Sequence, residues 1–224
     1  MQNFVINEIE GLTASLRYGG DAEVLKRLIA NGYPVIVEKG YYEYDYRGKL
    51  GWLGHYQFVT GYDDAKQVFI VQDTYLRLEP NDDGADMETD YQEFMDGWRS
   101  FNYVFLVIYP YDQEAQVLEA LGDHADPQWA NQKALDIANE EVQHLEGNDL
   151  FFAWYNIGTS HVNLQQYVDA AFAYDYAFYL YDELESDDTS RPYRIVWYQT
   201  GPYFAYFYSA RYQDTINLAT YTLT

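Results

Sequence analysis

The sequence predicts an α+β fold in two parts, a sheet with short helices over residues 1–111 and an all-helical region over residues 112–224. Short runs of β-branched and aromatic residues, separated by Gly, Pro, Asn and Asp, recur as far as Pro110, as expected of strands joined by turns. After Tyr111 these signals stop, and apolar residues recur at helical spacing instead. A chain of 224 residues with 48% hydrophobic content is long enough for two such cores.

The first elements follow from local patterns. Thr13–Tyr18 alternates apolar and polar side chains and predicts a strand. Asp21 is placed to cap a helix that Asn31-Gly32 ends. The apolar residues at helical spacing within it are Val24, Leu25, Leu28 and Ile29. Val35–Val37 predicts a buried strand, and the tyrosine-rich segment Tyr41–Lys49 predicts a loop that either lines a substrate cleft or covers a sheet edge.

The end of the first part is also defined by its pattern. Residues 90–98 predict a helix that Asp90 caps. Tyr103–Tyr109 is strongly apolar and predicts the last strand, which Pro110 closes. The strand signals therefore end at the boundary between the two predicted domains, 1–111 and 112–224.

The most informative segment is a predicted hairpin, Gly54–Asp64 followed by Val68–Asp73, which carries a histidine and a carboxylate at corresponding ends. If Tyr62 and Lys66 flank a three-residue loop, paired residue numbers sum to about 128, and His55 lies opposite Asp73. Opposed Cβ atoms are roughly 4.5–5.5 Å apart, within reach of an imidazole-to-carboxylate hydrogen bond. A two- or four-residue loop would send the two side chains to opposite faces. The alternative is a strand-end histidine and a turn-initiating aspartate with structural roles only.

These residues resemble the papain-like cysteine peptidases of family thirty-nine, the bacteriocin-processing or double-glycine type, over about residues 12–110. The segments that carry the resemblance are Leu28–Val37, Gly54–Tyr56, Thr60–Asp64, Val71–Asp73 and Tyr91–Phe94, with Trp98. The resemblance implies a papain-like antiparallel half-domain in which His55 is the general base and Asp73 orients it. In the family, a Gln and the Cys belong to an N-terminal segment with a Cys-Gly-Pro type motif, which has no match here. Residues 1–111 are therefore interpreted as a peptidase-like domain that lacks its nucleophile half, through truncation or through loss.

The absence of cysteine decides what chemistry to expect. A cysteine peptidase attacks a carbonyl with a thiolate while histidine accepts and returns the proton. The chain contains no cysteine. Thr60 and Thr74 lie near the hairpin, but a threonine nucleophile would need a helix N-terminus and an oxyanion hole that the sequence does not show. We expect peptide-bond hydrolysis from the full-length family and none from this chain as printed.

The second part has the spacing of a tetratricopeptide-like repeat, in which large and small residues interlock between paired helices. The residues at this spacing are Trp154, Ile157, Gly158, His161, Ala170, Tyr174 and Ala177. A looser copy begins at Trp197 and carries Pro202 inside its first helix, and a preceding helix is expected from Pro127 to about Leu145. We interpret His161 as a packing residue. Such repeats offer a surface to an extended peptide, so a non-catalytic peptide- or protein-binding scaffold is the alternative function.

The dense tyrosine content of this part, which includes Tyr193, exceeds what two repeats need for their core. The surplus either packs inside or forms a binding surface.

Charge narrows the classes of partner. The formal charge of −23 argues against nucleic acid, because a phosphate backbone would be repelled, and favours a cationic peptide or protein. No run of about 18 apolar residues predicts a membrane span, and no signal peptide is visible. Homodimerisation through the open flank of the sheet is a further expectation. The sequence leaves the compartment open.

No cofactor and no metal site is predicted. The loop from Glu79 to Asp90 has a glycine at the sixth position of a calcium-loop template, but its first and eighth positions do not fit, and we interpret it as a solvated acidic turn.

Overall fold

A computed structural model describes residues 1–44, 47–74, 83–184, 191–192 and 194–223. Within these ranges, six strands form one sheet in the order β1-β6-β2-β3-β4-β5. The strands are β1 (Leu12–Arg17), β2 (Val35–Tyr44), β3 (Leu50–Asp63), β4 (Val68–Gln72), β5 (Met87–Asp90) and β6 (Phe105–Pro110). The helices are α1 (Gln2–Glu8), α2 (Ala22–Ala30), α3 (Tyr91–Arg99), α4 (Glu114–Leu121), α5 (Pro127–Glu141), α6 (Gly147–Asn163), α7 (Tyr167–Glu183), α8 (Ile195–Tyr198), α9 (Gly201–Tyr208) and α10 (Tyr212–Leu223). The α+β class is confirmed.

The local predictions for the first part are largely confirmed. The Asp21 carboxylate accepts a 2.8 Å hydrogen bond from the Val24 N–H and begins α2, as a helix N-cap does. After α2 the chain reverses at Gly32, whose φ of 85° lies in the left-handed region that favours glycine. Asp90 accepts a hydrogen bond from the Gln92 N–H at the start of α3.

The loop predicted over Tyr41–Lys49 is wrong in its first half. Strand β2 continues to Tyr44, and Tyr42 and Tyr44 are the exposed positions of its alternation. Aromatic residues at every second position suit a half-exposed strand, and this preference outweighs the acidic residues between them. Tyr46 lies outside the described residues.

The chain divides into two compact units. The first comprises residues 1–39, 55–98 and 103–130, and the second comprises residues 40–54, 99–102 and 131–224. The predicted ranges 1–111 and 112–224 stay a prediction. Helix α4 belongs to the first unit, where Arg27 donates to the carbonyl oxygens of Ala120 and Leu121 at its C-terminus. These carbonyls have no partner within the helix, so the guanidinium satisfies them.

The core of the first unit lies between the sheet and helices α2 and α3. Its largest fully buried side chains include Trp98, Phe94, Phe69 and Leu25. The Trp98 indole N–H donates to the Val104 carbonyl at 2.6 Å, so the ring is buried with its polar atom satisfied. This packing holds β3 and β4, the strands that carry the predicted site.

In the second unit, α6 and α7 form a closely packed helix pair at the predicted place. The ring of Tyr174 lies against Gly158, where a Cβ would approach it to 2.7 Å. Helix α5 begins at Pro127 as predicted. The interlocking of a large and a small residue is therefore present, and its assignment to a tetratricopeptide repeat stays a prediction.

The looser second copy needs a correction. The helix predicted from Trp197 stops after Tyr198, and a new helix, α9, begins at Gly201. Pro202 therefore lies in the first turn of α9 rather than inside a helix. Proline lacks the N–H that an interior turn requires and is tolerated in the first turn, which explains the break.

Candidate functional site

The β3–β4 hairpin does not have the predicted register. Asp63 pairs with Val68, so four residues rather than three separate the strands. Near the turn, paired residue numbers therefore have an odd sum, whereas the prediction required an even one. The pairing shifts between Val59 and Gly61, where Thr60 is an extra residue on β3 that forms a β-bulge. Because a one-residue slip moves side chains to the other face of a sheet, the bulge cancels the effect of the longer loop.

Beyond the bulge, His55 and Asp73 lie on the same face of the sheet. Continuing the register from the Phe58–Gln72 pair places Asp73 opposite Gln57, so His55 is its diagonal neighbour rather than its direct partner. Diagonal neighbours are still within reach of long side chains. The His55 Nε2 to Asp73 Oδ1 distance is 2.8 Å. The two side chains are brought together as predicted, although by a different register.

Gln57 is a third member of the site that the sequence interpretation missed. Its Nε2 donates to Asp73 Oδ2 at 2.9 Å. Each carboxylate oxygen of Asp73 therefore accepts a hydrogen bond from a different side chain. Asp73 is 2% exposed and Gln57 is 3% exposed, so these bonds are shielded from water. The signal that was available is position, since Gln57 lies two residues after His55 and hence on the same face.

The hydrogen bond to Asp73 defines which nitrogen of His55 is basic. An ionised carboxylate only accepts hydrogen bonds, so His55 Nε2 must carry a hydrogen to bond it. In the neutral ring, Nδ1 then holds the lone pair. This is the arrangement of a general base held in one tautomer by a buried carboxylate.

A buried lysine lies near the carboxylate. Lys39, on β2, is 5% exposed, and its Nζ lies 4.6 Å from the centroid of the Phe94 ring. Burial lowers the pKa of Lys39 to about 8, and the charges of Glu93 and Asp73 oppose that shift. Lys39 follows Val35 and Val37 at every second position, which puts all three on the core face of β2.

The neighbouring residue on β2 faces the other side of the sheet. Burial raises the pKa of Glu38 to about 7, and a hydrogen bond from Tyr56 opposes the shift. Burial also raises the pKa of Tyr56 to about 12. Lys39 therefore lies on the same side of the sheet as Asp73, and Glu38, whose pKa is raised, lies on the opposite side.

The backbone around Asp73 is held by hydrogen bonds to Gly84 and Asp86. The Asp73 N–H donates to the Gly84 carbonyl at 2.7 Å. The Gln72 side chain donates to Asp86 Oδ1 and accepts from the Asp86 N–H. These bonds fix the end of β4 and with it the position of the Asp73 carboxylate.

The other sequence candidates lie apart from the imidazole or outside the described residues. The Thr60 hydroxyl accepts from Gln72 Nε2 at 2.9 Å. His161 Nδ1 bonds Gln166 Oε1 at the end of α6. Glu79–Asp82 and Tyr193 lie outside the described residues. In the part of the chain that is described, no group of three or more His, Asp or Glu side chains is arranged to hold a metal ion.

A cavity of about 480 Å³ lies at the end of the hairpin that carries Asp73. Its lining includes Asp73, Gln57, Ile36, Phe58 and Thr74. Ile36 and Phe58 belong to the outer face of their strands, where Ile36 packs against a smaller apolar cluster. The cavity therefore opens along the end of the hairpin, on the outer side of the sheet.

Residues 5–105 match the Peptidase_C39 like family. The matched segment contains His55, Gln57 and Asp73. No curated protein matches the chain. A crystal structure of a candidate C39-like peptidase from Bacillus anthracis is similar at 16% identity and a TM-score of 0.31, over 43% of this chain and 50% of that one. The chain thus spans half the length of that structure.

In the described ranges, no helix has both the length and the apolar character needed to cross a membrane. The strands at the two edges of the sheet are β1 and β5. Homodimerisation through the sheet stays a prediction.

Proposed function

We propose that residues 5–105 are a C39-like peptidase module in which His55 is the general base and Asp73 holds it in its basic tautomer. The observation that carries this proposal is the 2.8 Å bond between His55 Nε2 and the buried Asp73 carboxylate, inside the segment that matches the family. Gln57 supports the carboxylate from its other oxygen. In a complete site, His55 Nδ1 would take the proton from a thiol and return it to the leaving amine.

The chain as printed does not supply that thiol. None of its 224 residues is cysteine, so no acyl-enzyme can form on a sulfur of this chain. What the site retains is an oriented imidazole, which can accept a proton or attack an activated ester. We therefore propose a peptidase-like protein that is inactive toward peptide bonds by itself.

Ester hydrolysis tests this proposal. The chain is incubated with p-nitrophenyl acetate and, separately, with fluorogenic peptides that include a double-glycine junction. We expect ester turnover above background, lost in His55→Ala and reduced several-fold in Asp73→Asn, with no peptide cleavage. His144→Ala is the matched control and should keep the full rate. Equal ester hydrolysis rates in His55→Ala and wild type would exclude His55 as the reactive base. Cleavage of the peptides by the wild-type chain would refute the proposal that it is inactive toward peptide bonds.

A second candidate function is that of a peptide- or protein-binding scaffold that acts through the helical unit. The observation in its favour is the set of aromatic side chains that remain exposed there. They include Phe172, Tyr179, Trp197, Phe207, Tyr208 and Tyr212, each more than half exposed. Exposed aromatics are enriched at binding surfaces, and the charge of −23 favours a cationic partner.

A further inference from the structure

Helix α7 carries an apolar stripe on its solvent-facing side. The stripe consists of Val168, Phe172, Tyr176 and Tyr179, which are 56%, 67%, 43% and 57% exposed. The intervals of four, four and three residues keep these side chains on one face of the helix. With a rise of 1.5 Å per residue, the stripe is about 16 Å long. We refer to these four residues as the outer stripe.

The opposite side of α7 is also apolar. It buries Ala170, Ala171, Ala173, Tyr174, Ala177 and Tyr181. A surface helix normally has one apolar face and a polar face toward water, whereas a helix that is apolar on all sides is normally covered on all sides. Helix α7 is apolar on these two sides and carries its carboxylates, Asp169, Asp175, Asp182 and Glu183, at other positions. The outer stripe therefore has the composition of a covered face rather than of a solvated one.

The aromatic rings of the stripe are organised into a contiguous surface. The ring of Tyr176 packs against Trp154 of α6 with a centroid distance of 4.5 Å, and against Tyr179 at 5.8 Å. These contacts limit the rotamers of Tyr176, so less side-chain entropy is lost when a partner binds. The faces of such rings also attract cations.

Charge defines which partner fits. The exposed carboxylates Asp169, Asp182 and Glu183 lie at the two ends of the stripe. Residues 134–190, which include α6 and α7, contain twelve Asp or Glu residues and no Lys or Arg. A second copy of the chain would bring the same carboxylates together and would be repelled.

We propose that the outer stripe docks a cationic amphipathic helix of another protein. The apolar side of that helix would lie on Phe172, Tyr176 and Tyr179, and its Lys or Arg side chains would reach the carboxylates at both ends. About three turns of helix span the stripe. This mode places apolar residues at i, i+4 and i+7 of the partner into the aromatic surface. The proposal rests on the binding function given as the second candidate and does not involve His55.

The probe for the test is an 18-residue helical peptide of Leu and Lys with one apolar face, labelled with a fluorophore. Its affinity is measured by anisotropy against wild type, the double variant Phe172→Ser/Tyr179→Ser, and the control Ile216→Ser. Ile216 is 57% exposed in the same unit and belongs neither to the stripe nor to the other exposed aromatics of the scaffold. The matching Leu and Glu peptide is the second control. Circular dichroism and a thermal melt check that each variant is folded.

We expect the double variant to weaken binding of the Leu/Lys peptide by about tenfold or more, and Ile216→Ser to change it less than twofold. A photoreactive version of the peptide should cross-link to α7. Equal binding by the double variant would refute the stripe as the site while leaving the scaffold function standing, because the peptide would then bind elsewhere on the acidic surface. Absence of binding by wild type, or equal affinity for the Leu/Glu peptide, would refute the cationic partner. Self-association of the chain that the double variant abolishes would assign the stripe to a second copy instead.

Discussion

Substituting Asp73 by Asn tests the site most directly, because it removes the charge and keeps the shape. Asp73 accepts one hydrogen bond on each oxygen, from His55 at 2.8 Å and from Gln57 at 2.9 Å. An asparagine offers one acceptor oxygen and one donor amide. One of the two partners must therefore face a donor. We expect the oxygen of the new side chain to turn to the Gln57 amide nitrogen and its amide to His55, because the partly exposed His55 ring can change tautomer. The competing response is rotation of the Gln57 amide, whose Oε1 has no hydrogen-bond partner among the described residues and could accept from the asparagine.

The consequence is an inverted tautomer. His55 Nε2 becomes the acceptor, the ring hydrogen moves to Nδ1, and the imidazole no longer presents a lone pair at Nδ1. Two charge-assisted hydrogen bonds become neutral ones, and each charge-assisted bond contributes roughly 1.5–3 kcal/mol against about 1 kcal/mol for a neutral bond. We expect the free energy of unfolding to fall by about 1–4 kcal/mol.

Two measurements check this prediction. Two-bond nitrogen–proton correlation spectra at a pH where imidazole is neutral identify the tautomer of each of the four histidines, and urea unfolding gives the free energy. Asp63→Asn is the matched control, since it removes the same charge at the turn end of the hairpin, where Asp63 caps the Ala65 and Lys66 N–H groups. The reasoning is refuted if His55 keeps the Nε2–H form in Asp73→Asn, or if wild type already shows the Nδ1–H form.

Three further predictions concern the stability of the fold. Burial lowers the pKa of Lys39 to about 8 from 10.5, so charging this lysine costs stability as the pH falls from 10.5 to 8. In denaturant titrations, the free energy of unfolding of wild type should rise by about 3 kcal/mol between pH 8 and 10.5 relative to that of Lys39→Met. Burial raises the pKa of Glu38 to about 7 from 4.5, so the stability present below pH 4.5 is lost as the pH rises to 7. Glu38→Gln should remove this loss, which is on the order of 3 kcal/mol in the free energy of unfolding. A pH profile that Lys39→Met or Glu38→Gln leaves unchanged would contradict the corresponding assignment. Gly158→Ala should destabilise the helical unit by about 1–3 kcal/mol despite the better helix propensity of alanine, because its Cβ would approach the Tyr174 ring to 2.7 Å, and a raised melting temperature would show that the ring can move away.

Local rules were sufficient where a structural element depends on neighbouring residues. The bounds of α2 follow from the Asp21 cap, the helical spacing of its apolar residues and the Asn31-Gly32 stop, and all three are present in the structure. The same rules failed at Tyr41–Tyr44. There, acidic residues between tyrosines resembled a loop, but alternate exposure along a half-covered sheet favours a strand.

The pairing of His55 with Asp73 shows where local rules reach their limit. The sequence indicated both residues and the dependence on loop parity, yet neither the four-residue loop nor the bulge at Thr60 was predicted. The bulge restored the parity of the pairing but not the predicted register, so His55 and Asp73 share a face as diagonal neighbours rather than as direct partners. Register is decided by pairing between strands, and a single extra residue changes the face of every side chain beyond it.

What the sequence alone determined is chiefly chemical. The absence of cysteine excludes a thiolate from this chain, and the excess of carboxylates gives it a formal charge of −23. What the tertiary structure decided is proximity and burial. Gln57 meets Asp73, Lys39 is enclosed near the same carboxylate, and the aromatic residues of α7 divide into a buried set and an exposed stripe. The physical reason is that composition belongs to each residue by itself, whereas a hydrogen-bond partner, a buried charge or an uncovered face exists only once distant segments of the chain have packed together.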